Sequence, residues 1–237
     1  TEYQLFKDIK EIDFLIVDKS NLFKAMLQIK RDLNGKAFDV LLNMHASMSA
    51  NLISIMIKSK RKVGFDYKRA RDKQNFFCNE SIKITDRQHV ADGMTEFVKH
   101  ITGKDCHPIW KPITLTPEEE EIEEYIDPTK QTCVISPCSS QRYGKNYNRS
   151  WPIENFIQII KYLLSKKNIQ VILSGGVSIT EVEYSECFNK QDFSDECLNL
   201  IGKTSIRQMA SIIKKSQFVI SPDSGPAHIG TLMNKPV

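Results

Sequence analysis

Short apolar runs alternate with helical segments along most of this chain, and that rhythm narrows the fold more than any other feature. Residues 12–17 read as a strand, and 21–33 as a helix with apolar residues at 22, 23, 26, 27 and 29. A second apolar run, 38–44, follows the Asn34-Gly35 break, and helices are predicted over 47–58 and 89–101. In the second half, strands are predicted at 132–136, 169–173, 197–201 and 218–220, separated by helices over 152–165, 179–188 and 205–214. Such alternation specifies a parallel α/β architecture, doubly wound in the second half. At 237 residues the chain has room for two modest domains. A breaker-rich stretch with Pro108, Pro112 and Pro117 lies midway, followed by the acidic run 118–124. Carboxylates there suit the first turn of a helix, where they meet the positive end of its dipole. The domain boundary is predicted near Asp127-Pro128, giving domains 1–128 and 129–237.

The hydrophobic fraction of 41% and charged fraction of 26% are those of a soluble globular protein. No apolar run approaches the roughly 20 residues of a membrane helix, and no signal peptide is visible. Six cysteines at 78, 106, 133, 138, 187 and 197 form no C-x-x-C pair and no cluster with histidine. They read as reduced structural thiols of a cytosolic protein, with no metal site. Charge is uneven. Residues 1–117 carry 20 Lys/Arg against 14 Asp/Glu, while 118–237 carry 13 against 15. The excess gathers at Lys58, Lys60, Arg61, Lys62, Lys68, Arg69, Arg71 and Lys73, with Phe65 and Tyr67 between them. That stretch reads as a connection between elements, suited to an anionic ligand or a membrane surface and too local for a general nucleic-acid protein. The chain opens at Thr1 without a methionine and stops at Lys235-Pro236-Val237, so it reads as a piece cut at both ends.

Three predicted strand ends of the second half carry small or polar residues, at 136–140, 174–176 and 221–225. Doubly wound sheets bind ligands at the carboxyl ends of their strands. The last of the three is the most telling. The run F-V-I (218–220) breaks at Pro222, turns through Asp223, Ser224 and Gly225, and enters a helix with Pro226 at its first position. A strand turning sharply into a helix leaves free N–H groups and a positive dipole end at the turn, which suits a phosphate or diphosphate. The plainer reading is a helix cap by Asp223 or Ser224. Neither a G-x-G-x-x-G nor a G-x-x-x-x-G-K-[ST] motif occurs, so a dinucleotide fingerprint and a nucleotide triphosphatase loop are both unsupported.

The blocks S-P-C-S-S (136–140) with R-S-W-P-I-E-N-F (149–156), V-I-L-S-G-G (171–176), L-I-G-K-T-S-I-R-Q-M-A (200–210) and S-P-D-S-G-P-A-H (221–228) resemble the donor half of the ADP-heptose:lipopolysaccharide heptosyltransferases. These form glycosyltransferase family 9, of GT-B fold. In the first half, F-D-V-L-L-N-M-H-A-S-M-S-A-N (38–51) and V-G-F-D-Y-K-R-A-R-D (63–72) look like the acceptor half of heptosyltransferase I. There Asn43, His45 and Ser49 stand where the family has Asp, Gln and Lys. The resemblance implies two Rossmann-like domains facing a cleft. It implies inverting transfer of heptose from ADP-L-glycero-D-manno-heptose to a Kdo sugar on lipid A or to the inner core, without metal or cofactor. The partners would be that donor, that acceptor and the inner-membrane surface, with the protein cytoplasmic and peripheral; nucleic acid is not expected. By matched position, Ser139 and Ser140 would meet the donor phosphates with Arg149 adding a cation, and Asp223 would hold the heptose hydroxyls. Ser224, Gly225 and His228 would lie at the diphosphate, and Glu181 at the adenosine ribose. The acceptor would meet Lys62, Lys68, Arg69 and Arg71. The family's general-base Asp has no match here and would lie upstream of Thr1, so this chain alone would be inactive.

Plainer readings stand beside these. His228 could pack as an ordinary helical histidine, Arg149 could be a surface charge before a helix, and Arg69 and Arg71 could be solvated. His45, His89, Trp110 and Trp151 read as structural. A Ser224–His228 hydrolase is disfavoured, because no G-x-S-x-G elbow occurs and a base four residues along one helix reaches back poorly. The alternative of a different class is a non-enzymatic binder of anionic glycolipid or nucleic acid through the basic patch at 58–73.

Overall fold

The computed structural model describes residues 2–18, 20–139, 150–166 and 168–237. The chain forms two compact units, one of Asp8–Ile109 and one of Thr1–Lys7 with Trp110–Val237.

In the first unit, helix α2 (Leu22–Leu33) precedes strand β1 (Ala37–Leu42), helix α3 (Met48–Ile55), strand β2 (Lys58–Gly64), the short strand β3 (Glu80–Ser81) and helix α4 (Val90–Thr102). A short helix α1 (Glu2–Phe6) comes before them and belongs to the other unit. The strands pair in parallel in the order β1-β2-β3. Local chemistry sets the helix starts. The Asn21 side chain accepts from the Lys24 N–H at 3.0 Å, Ser47 accepts from Ala50, and the His89 ring nitrogen accepts from Ala91 at 3.2 Å, each satisfying an orphan first-turn donor. Asn34 and Gly103 close α2 and α4 in the left-handed conformation. The core here is small: Val63, Ile82 and Phe97 are buried, with Phe65 edge-on to Phe97 at 5.1 Å.

Two expectations fail in this unit. Residues 12–17 form no strand; they are mostly exposed, and Ile16 offers its carbonyl to the Gln28 side chain at 2.9 Å rather than to a neighbouring strand. The basic stretch beginning at Lys58 is not all connection, because its first seven residues are β2. Lys58 and Lys60 stay exposed, whereas Arg61 makes two 2.8 Å bonds to Glu80 of β3. Pairing across the sheet is what admits so charged a strand.

The second unit contains α5 (Glu118–Glu121), β4 (Gln131–Ile135), α6 (Ile153–Leu164), β5 (Ile169–Leu173), α7 (Ile179–Asn189), β6 (Cys197–Asn199), α8 (Ile206–Lys215), β7 (Phe218–Ile220) and α9 (Gly225–Leu232). Its parallel sheet runs β6-β5-β4-β7. Side chains alternate along each strand, and here both faces are buried. Cys133, Ile135, Val171 and Leu173 pack with Phe156 and Ile160 of α6 and Phe188 of α7. Val134 and Ile172 pack on the other face with Ala210, Ile212 and Ile213 of α8 and with Ile229 and Met233 at α9. Helices therefore cover both faces, as expected of a doubly wound sheet. Each fully buried Ile or Leu contributes roughly 1.5–3 kcal/mol of transfer free energy.

The expected boundary near residue 128 is displaced to 109–110. Leu115 and Ile122 are fully buried in the core of the second unit. Glu118 pairs at 2.7 Å with Arg207 of α8, whose guanidinium also donates to the Leu5 carbonyl at 3.0 Å. The acidic run is thus stitched to α8 of the second unit.

Candidate functional site

The chain runs from β4 through α6 to β5 and on to β6 on one side, and then returns through α8 to place β7 on the other side of β4. Where strand order reverses in this way, a crevice opens outside the carboxyl ends of the two diverging strands. Two of the three polar strand ends, 136–139 after β4 and 221–224 after β7, flank that point. The Ser136 N–H donates to the Ile220 carbonyl at 2.9 Å and locks the two ends together.

At the β7–α9 junction, Ser224 is the N-cap residue in an extended conformation, but its side chain makes no capping bond. Its hydroxyl instead meets the Ser221 hydroxyl at 2.8 Å. The plain capping role therefore does not account for Ser224. Helix α9 starts one residue earlier than expected, at Gly225, with Pro226 second; proline there gives up an N–H that no intrahelical bond needs. Asp223 and His228 are both exposed, the His228 Nε2 lying 3.6 Å from an Asp223 carboxylate oxygen. A β-carbon placed on Gly225 would meet nothing within 4 Å, and its φ lies outside the left-handed region. Neither backbone conformation nor packing demands a glycine there. Gly230 of the same helix contrasts with it, since a β-carbon there would lie 2.7 Å from Val237 and 3.3 Å from Val219. Beside Gly225 the start of α9 therefore has room among the described residues, and Ser224 places no capping bond on its first turn.

At the end of β4, Cys138 and Ser139 are buried, and the Ser139 amide donates to the Ser150 hydroxyl at 2.9 Å. The Ser139 hydroxyl is buried with no hydrogen-bond partner among the described residues. At the end of β5, the Ser174 hydroxyl is in the same state. Buried hydroxyls without partners are uncommon and call for a ligand, a water or a rearrangement to satisfy them. The loop after β5 is organised by Glu181. Its carboxylate accepts the Gly176 N–H at 2.6 Å, the Ser178 N–H at 2.9 Å and the Ser178 hydroxyl at 2.6 Å. Ser178 and Glu181 form a reciprocal capping box at the start of α7. Sequence reasoning missed this cap, although its S-x-x-E signal is local. A carboxylate has about four acceptor positions, so three bonds leave Glu181 one for a ligand hydroxyl. Burial, with the Glu181 carboxylate adding to it, pushes the Cys138 thiol up to about 12.

The structure therefore brings Asp223, Ser224, Gly225 and His228 into one junction, with Ser139 on the adjacent strand end and Glu181 one strand further. Ser140 and Arg149 lie outside the described residues. The hydrolase reading gains nothing, because the Ser224 hydroxyl bonds Ser221 and the imidazole faces Asp223.

The four candidate acceptor residues lie in the other unit, on β2 and the loop after it. Three are engaged within the fold. The Lys62 ammonium donates to the Ser54 carbonyl at 2.8 Å, and Lys68 pairs with Asp86 at 2.8 Å. Arg69 pairs with Asp66, donates to Gln88 and to the Lys83 carbonyl, and lies over the Phe65 ring. Arg71 is exposed and makes no side-chain bond among the described residues. Asn43 is not a surface ligand either. It is buried, bonded to the Asn51 side chain at 2.9 Å and through its carbonyl to Gln74, while His45 and Ser49 both meet the N-cap hydroxyl of Ser47.

All six cysteines are free thiols, and burial pushes those of Cys133 and Cys197 up to about 12, which makes them poor nucleophiles. Among the described residues no group of three or more His, Cys, Asp or Glu side chains could hold a metal ion. No helix there is long and apolar enough to cross a membrane.

Comparison with known proteins matches this geometry. The sequence profile of glycosyltransferase family 9 (heptosyltransferase) covers residues 26–237. The lipopolysaccharide core heptosyltransferase OpsX of Haemophilus influenzae is 33% identical over all 237 residues of this chain, which span 66% of that protein. Lipooligosaccharide heptosyltransferase 2 of the same organism is 25% identical over 149 residues, 60% of this chain and 42% of that protein. Among solved structures, a family 9 glycosyltransferase from Veillonella parvula superposes with a TM-score of 0.72 at 16% identity, over 98% of this chain and 68% of that one. Escherichia coli heptosyltransferase WaaC, solved with ADP-2-deoxy-2-fluoro heptose, superposes with a TM-score of 0.69 at 18% identity, over 90% and 64%. The structural likenesses establish an α/β fold of GT-B type built on parallel sheets. With the family profile spanning almost the whole sequence, the chain belongs to glycosyltransferase family 9, the heptosyltransferases.

Proposed function

We propose that this chain supplies the donor site and part of the acceptor side of an inverting heptosyltransferase. It would move heptose from ADP-L-glycero-D-manno-heptose to Kdo-lipid A or to the inner core of lipopolysaccharide, working at the cytoplasmic face of the inner membrane. The observation that carries the reading is the β7–α9 junction at the switch point of the sheet, where Ser224 makes no capping bond to the first turn and the space beside Gly225 is open among the described residues. As the glycosidic bond breaks, negative charge builds on the departing diphosphate. Fixed N–H donors and a helix dipole aimed at it stabilise that charge without reorganising. The exposed His228 ring is a further donor on the same turn, and Asp223 beside it can accept from the sugar hydroxyls and hold the anomeric carbon in line. Ser139 lies on the neighbouring strand end with an unsatisfied hydroxyl, suited to a phosphate oxygen. Glu181 keeps one acceptor position for a ribose hydroxyl while its other bonds shape the loop. Ser140 and Arg149 would complete the phosphate contacts, and no metal is required when these groups carry the charge.

Arg71 is the acceptor residue best supported, because its guanidinium is exposed and uncommitted among the described residues. Lys62, Lys68 and Arg69 would act mainly by shaping the loop that presents it. A purely non-enzymatic binder is disfavoured by the family to which the chain belongs. Titration calorimetry with ADP tests the reading: saturable binding that weakens when His228 is replaced by Ala is expected. A well-folded protein that takes up no ADP would sink it.

A further inference from the structure

The loop that follows β2, residues 65–79, is heavily bonded to its surroundings, yet it holds two large aromatic side chains in solvent. Gln74 is completely buried, and both ends of its amide are used, accepting from the Phe65 N–H at 3.0 Å and donating to the Asn43 carbonyl at 2.9 Å. Asp66 is 2% exposed; its carboxylate pairs with Arg69 and accepts the Lys68 N–H. At the tip, Asp72 and Lys73 both adopt left-handed backbone angles, φ 51° and 60°, which disfavour non-glycine residues. They are held there because the Asp72 carboxylate accepts the Met48 N–H at 2.9 Å and its carbonyl accepts from Asn51 at 3.0 Å. A loop fixed this firmly does not expose side chains through slackness. It nevertheless leaves Tyr67 72% and Phe76 81% exposed, with Arg71 and Lys73 exposed between them and making no side-chain bond among the described residues. Tyr67 and Asn75 line one shallow pocket, so the two arms that carry the aromatics meet.

We propose that this loop is a membrane-docking element, with Tyr67 and Phe76 entering the headgroup region of an anionic bilayer while Arg71 and Lys73 meet lipid phosphates. Aromatic rings and long cationic side chains are the groups that favour the boundary between water and acyl chains. Exposed basic residues next to an anionic leaflet add attraction that fades within a Debye length. Of the eight Lys/Arg in 58–73, Lys58, Lys60, Arg71 and Lys73 are exposed and make no side-chain bond among the described residues, which gives the surface charge complementarity to such a bilayer. The carboxylates nearby do not cancel it: Asp66 and Asp72 are bonded inward, and Asp86 is paired with Lys68. The proposal rests on the membrane-surface reading above and names the face of the protein that carries it out.

The test is sedimentation with vesicles of phosphatidylcholine containing phosphatidylglycerol, compared with phosphatidylcholine alone, alongside calorimetry with ADP. The unaltered protein should sediment with the anionic vesicles, and less so as salt rises. Tyr67→Ser with Phe76→Ser should lower partitioning by about tenfold or more, since interfacial binding scales with the apolar area inserted. Arg71→Gln with Lys73→Gln should lower it on the order of fivefold per charge. Phe76→Trp should keep binding and shift its fluorescence to the blue on anionic vesicles. ADP affinity should be the same in every variant, so loss of vesicle binding is separable from failure of the donor site. Equal partitioning by the Ser variant, equal binding to neutral vesicles, or an unshifted emission from the Phe76→Trp variant would each overturn the proposal. So would aromatics that instead hold two copies together, seen as a dimer lost in the Ser variant with vesicle binding intact.

Discussion

Gly225 is the residue on which the donor reading can be tested most cleanly. Most glycines that matter in a fold are tied to a left-handed backbone or to a close approach, as Gly230 is to Val219 and Val237. Gly225 is tied to neither, so a larger side chain can enter without disturbing the protein itself. Gly225→Val should therefore fold normally while its branched side chain fills the space over the first-turn N–H groups. Hydrogen bonds to a charged partner are worth about 1.5–3 kcal/mol each, and blocking one should cut ADP affinity by at least about tenfold. Unchanged affinity by calorimetry, with a native circular dichroism spectrum, would move the diphosphate elsewhere. Asp223 makes the complementary case. Its carboxylate is exposed, so in a protein that also carries the general base Asp223→Ala should change thermal stability little and lower kcat by roughly 100-fold, the scale of a misplaced reacting group.

At the scale of elements, the starts of α2, α3, α4, α7 and α8 are each set by a side chain within three residues, whereas the parallel ladders rest on partners far along the chain. The join between β2, β3 and α4 shows what such partners supply. Glu80 accepts two bonds from Arg61 and one, at 2.9 Å, from His100 of α4. These bonds, Arg61 first and His100 second, lower its carboxyl from an ordinary 4.5 to about 2. A depressed folded-state value stabilises the fold above the unfolded value, and that contribution is lost as pH falls from about 4.5 toward 2. Glu80→Gln should thus lower the melting temperature near pH 6 and flatten its fall between about pH 4.5 and 2 relative to the unaltered protein. Thermal unfolding followed across that range checks it, and parallel curves for the two proteins would remove Glu80 from the acid response. The group is open to water, so the effect is modest and salt-sensitive.

For the whole molecule, the pair Arg207–Glu118 decides where one unit ends. Arg207 is only 4% exposed, and its bonds reach back to Glu118 and to the Leu5 carbonyl, gathering segments from the start and the middle of the chain onto α8. The same bonding holds the Glu118 carboxyl below its usual range. Removing one member of a buried pair strands the other, so Arg207→Ala should cost about 3–5 kcal/mol in urea unfolding. A loss below about 1 kcal/mol would mean that Leu115 and Ile122 alone dock this segment. Replacing both members with apolar residues of similar size should recover much of the loss, since burial of two charges is itself costly.

Much of the second unit is legible in the sequence because its signals are local. The strand–turn–helix at 218–232 can be read from an apolar run, a Pro-Asp-Ser-Gly turn and a proline in the first turn; the caps at Ser178 and Ser205, like those at Asn21 and Ser47 in the first unit, each lie within three residues of the amide they serve. The four donor blocks are local in the same sense, so the family and the candidate residues on them could be named before any fold was known. Other features depend on partners that sequence distance conceals. A run as charged as K-S-K-R-K becomes β2 because Arg61 meets a carboxylate nineteen residues on. The far more apolar run at 12–17 stays outside the sheet, with no described strand alongside to accept its bonds. Of four basic residues that looked alike, three bond carbonyls or carboxylates of the fold, Lys68 at the surface, and one does not. The switch point itself exists only once β7 pairs with β4 across more than eighty residues. Local chemistry determined what each segment is; the long-range pairing of strands and charges decided which segments meet, and so where the site lies.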